Sequence, residues 1–407
     1  MINNIENYDF IIVGGGLVGS IAALTLSEKN YKCCLIEKKG FDNNSKNKST
    51  FNPISLNYRS ILILKKYKLW NSEKMISNNI DNLILKCHNN LNKLSLSSRS
   101  LNLSTLGYVI DRDCFTYFIQ NKCKQSKKIT CYDSSTIEDI TSNSQNIFNI
   151  DLKYKEVIKK ISSPFIIASD GHPSFIANRM GFETTHIDYN QTSYIFNCQA
   201  DFKNNSAVQI INEDGSFAHI PFTDNETNLI LTINNDKKYK YFISNDELNK
   251  DLIHKLFKPY LANISLSKLI INYEMKTIRS NEIFYKNVLL LGNSSQLLHP
   301  VGAQGFNLAL RNIETLIDKL SSQHNDKNIL LKNIFDDIAN TLNIDRQNTF
   351  DYIDFSTKII CSDRILSKFT TSVFMQILKS STNVQKSFLS KILGLNDIKY
   401  LTLKNEF

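Results

Sequence analysis

Three glycines and one acid near the N-terminus have the spacing of a turn that binds phosphate and ribose. Gly14, Gly16 and Gly19 form a G-x-G-x-x-G pattern, and Glu37 follows 18 residues after Gly19. The first glycine permits a tight turn, the second lets the backbone approach a pyrophosphate, and the third lets a helix pack closely on a strand. A glutamate at this distance can accept hydrogen bonds from ribose hydroxyls. The pattern predicts a dinucleotide site, and the acid at 37 favours NAD or FAD over NADP.

The segments around these glycines are the ones that such a site needs. Phe10 to Val13 is a short apolar run, residues 17–29 have helical composition, and "KCCLIE" is a second apolar run ending at Glu37. This order predicts a βαβ unit, in which the helix N-terminus offers free N–H groups and partial positive charge to a phosphate. A tight turn without a ligand is the alternative interpretation.

A second candidate is the dipeptide Asp170-Gly171, which stands at the carboxyl end of the apolar run "FIIASD". The carboxyl ends of parallel strands are where α/β folds place their ligands. An ordinary strand-to-turn Asp-Gly has the same appearance, so both interpretations stay open for this pair.

The third candidate is "NVLLLGNSSQLLHPVGAQGFNLALRN", residues 287–312. It begins as an apolar strand and ends as an amphipathic helix, with Gly292, Gly302 and Gly305 between them, in a chain that has only 13 glycines. Glycine is used where backbone must lie close to a ligand. We expect a large flat group to lie against this stretch.

The three motifs, in this order, resemble the FAD-dependent aromatic hydroxylases of the para-hydroxybenzoate hydroxylase class. In that class the third motif is a Gly-Asp followed by a Pro and a Gly-rich helix start. The form "GNSSQLLHP" followed by "QGFNL", together with "LGYVIDR", is most similar to the ubiquinone-biosynthesis branch and, within it, to the 2-octaprenyl-6-methoxyphenol hydroxylase type. The resemblance covers nearly the whole chain.

The resemblance implies an FAD enzyme that takes electrons from NAD(P)H and reacts with O₂. A C4a-hydroperoxyflavin would transfer one oxygen atom to the ring of a polyprenylated phenol in ubiquinone biosynthesis. Few catalytic side chains and no metal are expected, because the cofactor carries the chemistry. The implied cofactor-binding residues are Gly14, Gly16, Gly19, Glu37, Arg112, Asp170, Gly171, Gly292, Asn293, Pro300, Gly302, Gln304, Gly305 and Asn307.

Two histidines are the candidates for a direct chemical role. His219 lies in "GSFAHIPF", which is expected to line the substrate cavity, where it could bind or deprotonate a phenol. His299 adjoins the third motif and could pack against the flavin or orient the substrate. An ordinary packed histidine is the alternative at both positions.

The chain departs from the family pattern at four places, one of which is Ala177, where the family often has an Arg that Arg179 could replace. Asn293 replaces the usual Asp and can still accept a hydrogen bond, although it carries no charge. Gly302-Ala303-Gln304 replaces Ala-Gly-Gln. Asn52 stands where the family has an Arg, which removes a cation expected near the flavin.

The expected fold class is α/β: a Rossmann-like FAD-binding domain with an inserted antiparallel substrate-binding sheet and a C-terminal helical region. The strongly alternating stretch 190–235 is typical of antiparallel strands and indicates the inserted sheet. We predict that residues 1–75, 100–183 and 282–345 form the FAD-binding domain. Residues 76–99 and 184–281 form the substrate-binding sheet, and residues 346–407 form the helical region.

Composition limits the remaining possibilities. The net charge of +9 is spread along the chain without a basic stripe, which argues against nucleic-acid binding. The eight cysteines form no C-x-x-C pair and are expected to be reduced thiols. With no signal pattern and no long apolar run, we expect a cytoplasmic protein, with a Lys-rich apolar tail suited to peripheral contact with the inner face of the membrane or to a quinone-biosynthesis complex. A hydroxylase of a small soluble phenol, a non-catalytic flavoprotein scaffold and a flavin reductase of prenyl double bonds are the alternatives.

Overall fold

The structure is a computed structural model. It describes residues 5–41, 52–71, 77–87, 93–144, 146–202, 205–244, 247–322, 330–360, 373 and 375–395.

Strands supply most of the regular structure. In chain order they are β1 (Glu6–Asn7), β2 (Phe10–Val13), β3 (Cys33–Ile36), β4 (Pro53–Asn57), β5 (Ser77–Ile80), β6 (Asn82–Cys87), β7 (Lys93–Ser97), β8 (Gly107–Asp111), β9 (Ile129–Tyr132), β10 (Ser135–Ser142), β11 (Phe148–Tyr154), β12 (Val157–Ser163), β13 (Phe165–Ala168), β14 (Thr184–Phe202), β15 (Ser206–Asn212), β16 (Gly215–Pro221), β17 (Glu226–Asn234), β18 (Phe242–Ser244), β19 (Glu247–Leu248), β20 (Leu261–Ser280), β21 (Phe284–Tyr285), β22 (Val288–Leu290) and β23 (Gln296–Leu297).

The helices lie mainly around the first sheet and at the C-terminal end. They are α1 (Leu17–Glu28), α2 (Tyr58–Lys66), α3 (Arg112–Gln125), α4 (Phe175–Met180), α5 (Lys238–Tyr241), α6 (Lys250–Phe257), α7 (Gln304–Ser321), α8 (Leu330–Ile360) and α9 (Thr382–Ile392). Asp111 caps α3 by accepting from the N–H groups of Asp113 and Cys114.

A six-stranded sheet, in the order β21-β22-β13-β2-β3-β9, forms the first layer; it is parallel apart from the edge strand β21. Its central strands are buried on both faces, which is why they appear in the sequence as unbroken apolar runs. Phe10 and Ile12 face a core shared with α1, α3, α7 and α8. Ile11 and Val13 face a second core under the sheet of β1, β12, β11 and β10.

An eight-stranded sheet, in the order β23-β20-β14-β17-β16-β15-β6-β7, forms the second unit. Its neighbouring strands run antiparallel except for β6, which pairs with β15 in parallel. The predicted inserted sheet is therefore present, but it is mixed, because β6 enters from an earlier part of the chain. The edge strand β23 comes from the third motif, so that motif belongs to both sheets.

Within residues 346–360 and 375–395, which the structure describes, the C-terminal region is mainly helical, as predicted. Helix α8 runs without interruption across the proposed boundary at 345/346. Helix α9 packs beside the β6–β7 edge of the second sheet, in an apolar cluster that includes Leu94, Leu96, Leu378, Leu389 and Leu393. The proposed division into domains stays a prediction.

Candidate functional site

The three glycines of the first turn divide into two that are packed and one that faces open space. A Cβ on Gly14 would lie 2.3 Å from the Ser169 oxygen, and a Cβ on Gly19 would lie 1.9 Å from the Gly14 oxygen. Gly14 also has a φ of +102°, which side chains rarely adopt. A Cβ on Gly16, in contrast, would meet no protein atom within 4 Å. The turn therefore leaves one side of its backbone open at the position that a pyrophosphate requires.

Helix α1 begins at this turn without a side-chain cap. Its first N–H groups are consequently available to an anion. Glu37 is held beside them, since its carboxylate accepts from Gly15 N at 2.6 Å and from Lys39 N at 2.9 Å. Each carboxylate oxygen has a second lone pair, which leaves Glu37 able to accept from a ribose hydroxyl.

Asp170 and Gly171 lie beside the third motif rather than apart from it. The Asp170 carboxylate accepts from Ser174 Oγ at 2.6 Å, from Ile176 N at 3.1 Å and from Ser294 Oγ at 2.9 Å. Gly171 N donates to Ser294 Oγ at 3.1 Å. Asp170 thus fixes the start of α4 and the third motif, and this geometry supports a positioning role for its side chain.

The third motif turns sharply next to α1. Gly292 has a φ of +62° and a Cβ there would lie 3.1 Å from Val18 of α1, while Asn293 beside it is exposed. Pro300 precedes a single helical turn in which Gly302 has a φ of +71° and Ala303 a φ of +51°. The exchanged Gly-Ala order thus places an alanine in the left-handed region, where a Cβ is strained.

Helix α7 begins at Gln304 and, like α1, has no side-chain cap. A Cβ on Gly305, in the first turn of this helix, would meet no protein atom within 4 Å. Asn307 braces this helix start, because its Oδ1 accepts from Asn57 N at 3.0 Å and its Nδ2 donates to the Ala303 oxygen at 2.6 Å. Gln304 Nε2 donates to the Gly302 oxygen at 3.0 Å. These two side chains therefore hold the loop, and the backbone of the first turn remains open.

The two uncapped helix starts fit FAD. Both helices follow strands of the six-stranded sheet in the chain, and each helix start has one glycine at which an added Cβ would meet no protein atom. The α1 turn suits the pyrophosphate, and the α7 start suits the flavin end, where reduction builds negative charge. The residues present are therefore compatible with the cofactor that the sequence implies.

His299 links the third motif to the second sheet. Its Nδ1 accepts from Val301 N at 3.3 Å, so Nε2 carries the proton and donates to Gln191 Oε1 at 3.1 Å. Burial lowers the pKa of His299 to about 4, which keeps the ring neutral near pH 7. Both ring nitrogens are engaged, so the geometry supports a structural bridge rather than proton transfer.

The His219 side chain lies on the face of the second sheet that packs against α6. It pairs across the strands with Leu229, which lies in the apolar core on the α6 side, and its ring lies 5.3 Å from that of Phe202. Its Nδ1 is bonded to Thr227 Oγ1, and burial lowers its pKa to about 4. A packing role thus replaces the catalytic role that "GSFAHIPF" suggested for this histidine.

Arg112 stands beside Asn52. When the Asn52 amide oxygen is oriented toward the guanidinium, it accepts from Arg112 Nε at 3.2 Å and from Nη2. Asn52 therefore holds the guanidinium of Arg112, the other cation that the sequence places near the flavin. Burial raises the pKa of Tyr273 on β20, while a hydrogen bond to Ser193 and the charge of Arg112 oppose that rise.

Several residues of the site carry no local sequence signal. Gln191, Ser294 and Asn57 meet the motifs only through the fold. Arg346 of α8 is wholly buried and donates to Gln296 Oε1 at 2.6 Å and to the Ser280 oxygen at 3.0 Å. Burial lowers its pKa to about 9. This arginine ties α8 to the third motif and to the end of β20.

Three further observations concern the described part of the chain. There, no group of three or more His, Cys, Asp or Glu side chains is placed to hold a metal ion. The described cysteines are free thiols. None of the described helices is long and apolar enough to cross a membrane.

A dinucleotide turn and a second open helix start, faced by a separate sheet, define a flavoprotein of the aromatic-hydroxylase class. Residues 7–331 match the FAD binding domain family, and the chain belongs to that family. It is a flavin-dependent monooxygenase, an oxidoreductase that uses FAD, and NAD(P)H is the typical reductant of the class.

Similar proteins agree with this assignment. The mitochondrial ubiquinone biosynthesis monooxygenase COQ6 of Dictyostelium discoideum is 21% identical over 77% of this chain and 76% of its own. The 3-demethoxyubiquinol 3-hydroxylase of Escherichia coli is 21% identical over 77% of this chain and 79% of its own. The crystal structure of p-nitrophenol 4-monooxygenase PnpA from Pseudomonas putida superposes with a TM-score of 0.74 at 12% identity, covering 96% of this chain and 99% of that one. The predicted fold class is confirmed by this likeness.

Proposed function

We propose that this protein hydroxylates the aromatic ring of a polyprenylated phenol in ubiquinone biosynthesis, with O₂ as the oxygen source and NAD(P)H as the reductant. The observation that carries the proposal is the flavin-side face of the second sheet, defined below, together with the activities of the relatives. When bound, FAD supplies the activation of O₂ and the delivery of one oxygen atom. The chain itself must bind FAD, orient the ring and exclude water.

The flavin-side face is the face that β14 presents toward His299. Gln191 on this strand bonds to His299, and strand alternation then places Ser193, Ile195 and Asn197 on the same side. Cross-strand pairing extends the face to Asn228, Ile230 and Thr232 of β17, to Ser216, Ala218 and Ile220 of β16, and to Ile271 and Tyr273 of β20.

The chemistry of this face favours a neutral, largely apolar substrate. Ile195, Ile220 and Ile230 are partly accessible and Ile271 is 50% exposed, although these are apolar side chains within a sheet. The residues named above for this face are uncharged, but Glu226 of β17 alternates in phase with them, and the charge of Arg112 acts on Tyr273. The accessible isoleucines therefore support an apolar substrate.

Contact with a membrane surface is the second part of the proposal. Val373, Ile377 and Val384 near the C-terminal end are exposed by 38%, 48% and 37%. Lys379 lies between Ile377 and Val384 in the sequence, and Lys386 follows Val384 by two residues. Exposed apolar side chains beside cations suit the headgroup region of an anionic bilayer, where a polyprenyl substrate would be found.

Liposome flotation tests the membrane contact. Replacing Val373, Ile377 and Val384 together by serine should reduce the fraction of protein that floats with anionic vesicles by several-fold. A serine at Ile158, which is 49% exposed on the distant strand β12, is the matched control and should float like the wild type. Equal flotation of the triple variant and the wild type would reject the contact.

A gene deletion followed by mass spectrometry of quinone precursors tests the activity. We expect a prenylated phenol that lacks one oxygen atom to accumulate, and the wild-type gene should clear it. The purified protein should consume NAD(P)H when that precursor is supplied. A yellow protein that consumes no NAD(P)H with any phenol, in cells whose quinones are unchanged by the deletion, would point to the scaffold alternative instead.

A further inference from the structure

The turn that ends α9 satisfies two carbonyls of that helix and leaves the next one to donors from elsewhere in the fold. The last four carbonyls of a helix have no donor within the helix itself. Here Gly394 N donates to the Lys391 oxygen at 3.1 Å, with a φ of +71° at Gly394. Leu395 N donates to the Ser390 oxygen at 2.8 Å, which completes a common helix-ending turn. The carbonyl of Ile392 therefore remains available to donors outside α9.

Two donors to the Ile392 oxygen come from residues that hold the open start of α7. Gln304 Nε2 donates to it at 3.3 Å, and Asn57 Nδ2 donates to it at 3.4 Å. Gln304 is the first residue of α7, and its amide also donates to the Gly302 oxygen at 3.0 Å. Asn57 is the N-cap of α2, and its backbone N donates to Asn307 of α7 at 3.0 Å. One carbonyl of α9 thus joins the starts of α2 and α7.

Helix α9 itself rests on the edge of the second sheet. Leu389 is fully buried and Leu393 is 3% exposed, and both belong to the apolar cluster that includes Leu94 and Leu96 of β7. Val384 precedes Leu393 by about two and a half helical turns, so it lies on the opposite face of α9, where it is exposed. The outer face of α9 is therefore accessible to a membrane surface while the inner face stays packed.

The link to α9 bears on the cofactor because the start of α7 is where the flavin end of FAD fits. An open helix start binds an anion most tightly when its N–H groups are already held in place, since ordering them on binding lowers affinity. The amides of Gln304 and Asn57 supply that order, and the Ile392 carbonyl fixes both amides. A docked α9 therefore holds the loop that the flavin meets.

We propose that the Ile392 carbonyl positions the α7 start for FAD, and that α9 thereby couples contact with an anionic membrane to cofactor binding. The coupling rests on the membrane contact of the proposed function, whereas the positioning role does not. A membrane that holds the outer face of α9 favours the docked helix, because it binds that form better than a displaced one. FAD favours the same form through Gln304 and Asn57. Membrane and FAD should therefore strengthen each other's binding by the same factor.

The substitution Asn57→Ser isolates the link to Ile392. Serine can still cap α2 by accepting from Ser60 N, but it has no amide that reaches the Ile392 oxygen. Asn249→Ser is the matched control. Asn249 caps α6 in the same way, and its Nδ2 donates to the Lys240 oxygen at 3.3 Å on the α6 side of the second sheet. Both variants should lose a similar, small amount of apoprotein stability in urea unfolding.

Titration of FAD into each apoprotein, followed by quenching of FAD fluorescence, measures the positioning role. The Kd for FAD should rise about fivefold in Asn57→Ser, the loss expected for one ordering hydrogen bond, and should change by less than about twofold in Asn249→Ser. Gly394→Ala acts on the same link from the α9 side. It strains the turn at a φ of +71° and should also weaken FAD binding.

The same titration in the presence of vesicles measures the coupling. Vesicles that contain phosphatidylserine should lower the wild-type Kd for FAD about fivefold, whereas vesicles of phosphatidylcholine alone should not. The effect should be lost in Asn57→Ser. The triple serine variant of Val373, Ile377 and Val384 should keep the wild-type affinity for FAD without vesicles and should also lose the vesicle effect.

The outcomes separate this inference from the proposed function. The positioning role is overturned if Asn57→Ser changes the Kd for FAD no more than Asn249→Ser does. The coupling is overturned if the wild type floats with anionic vesicles and its affinity for FAD stays the same. If the wild type does not float, the proposed membrane contact and the coupling fail together, and the Asn57→Ser titration decides the positioning role by itself. The proposed hydroxylation is judged separately, by the accumulated precursor in the deletion strain.

Discussion

Replacing Gly16 by alanine should remove FAD affinity while leaving the apoprotein intact. Gly16 has a φ of −69°, which alanine adopts freely, and an added Cβ meets no protein atom within 4 Å. The apoprotein should therefore keep its stability or gain up to about 1 kcal/mol, because alanine restricts the unfolded chain. The same Cβ would occupy the space that a pyrophosphate needs, and a loss of at least 1.4 kcal/mol, roughly tenfold in Kd, should follow.

Gly19→Ala is the matched comparison, since it makes the same chemical change three residues later. Its Cβ would lie 1.9 Å from the Gly14 oxygen and 2.3 Å from Ser169 Oγ, so α1 must move away from the sheet. Overpacking of this kind costs about 1–3 kcal/mol or more, and it should lower both apoprotein stability and FAD affinity. Urea unfolding of the apoproteins and quenching of FAD fluorescence measure the two quantities. The reasoning would be refuted if the Gly16→Ala protein bound FAD with wild-type affinity. It would also be refuted if the Gly16→Ala apoprotein were as unstable as the Gly19→Ala apoprotein.

Three further predictions concern stability. His219 and His299 have a pKa near 4 in the folded protein and about 6.5 in the unfolded chain. As the pH falls, the unfolded chain therefore binds protons before the folded protein does. The contribution of the two neutral histidines to the free energy of unfolding is complete above about pH 6.5 and is lost as the pH falls toward 4. Unfolding measured across this range should show a decline of up to about 3 kcal/mol per histidine, and His299→Gln should remove part of it. Arg346→Met should lower the free energy of unfolding, measured with urea, by about 3–5 kcal/mol, because it leaves the Gln296 and Ser280 oxygens buried without their donor. Arg346→Lys should recover little of this loss, since a single ammonium cannot replace the planar guanidinium. Ala303→Gly should raise the free energy of unfolding by up to about 1 kcal/mol by relieving a φ of +51°, and a decrease would contradict the strain assigned to that residue.

The parts of the site that could be predicted from the sequence are those whose determinants are local. The glycine turn, α1 and Glu37 lie within one βαβ unit, although the packing of Gly14 also depends on Ser169 from a distant segment. The Asp111 cap is equally local, because its acceptor and the N–H groups that it bonds are at most three residues apart. In such cases the spacing in the chain is close to the spacing in space.

The remaining features depend on contacts between distant segments. His299 and Gln191 are separated by 108 residues, and Asn307 and Asn57 by 250. His219 illustrates the limit most directly. Alternation along its strand shows that it shares a face with Phe217, but not whether that face meets the flavin or the helices. Only the register between β14, β16 and β17 decides that question, and it places His219 in the core.

The departure at Asn52 illustrates how such contacts change a functional conclusion. An alignment by position suggests that one cation near the flavin is missing. In the fold, Asp111 caps α3 and makes Arg112 its first residue, and this places the guanidinium against Asn52. Asn52 therefore supplies no charge of its own but orients the guanidinium of Arg112, which the sequence had already placed near the flavin. The described part of the chain therefore combines two open helix starts with the Arg112 cation, an arrangement that suits a bound flavin.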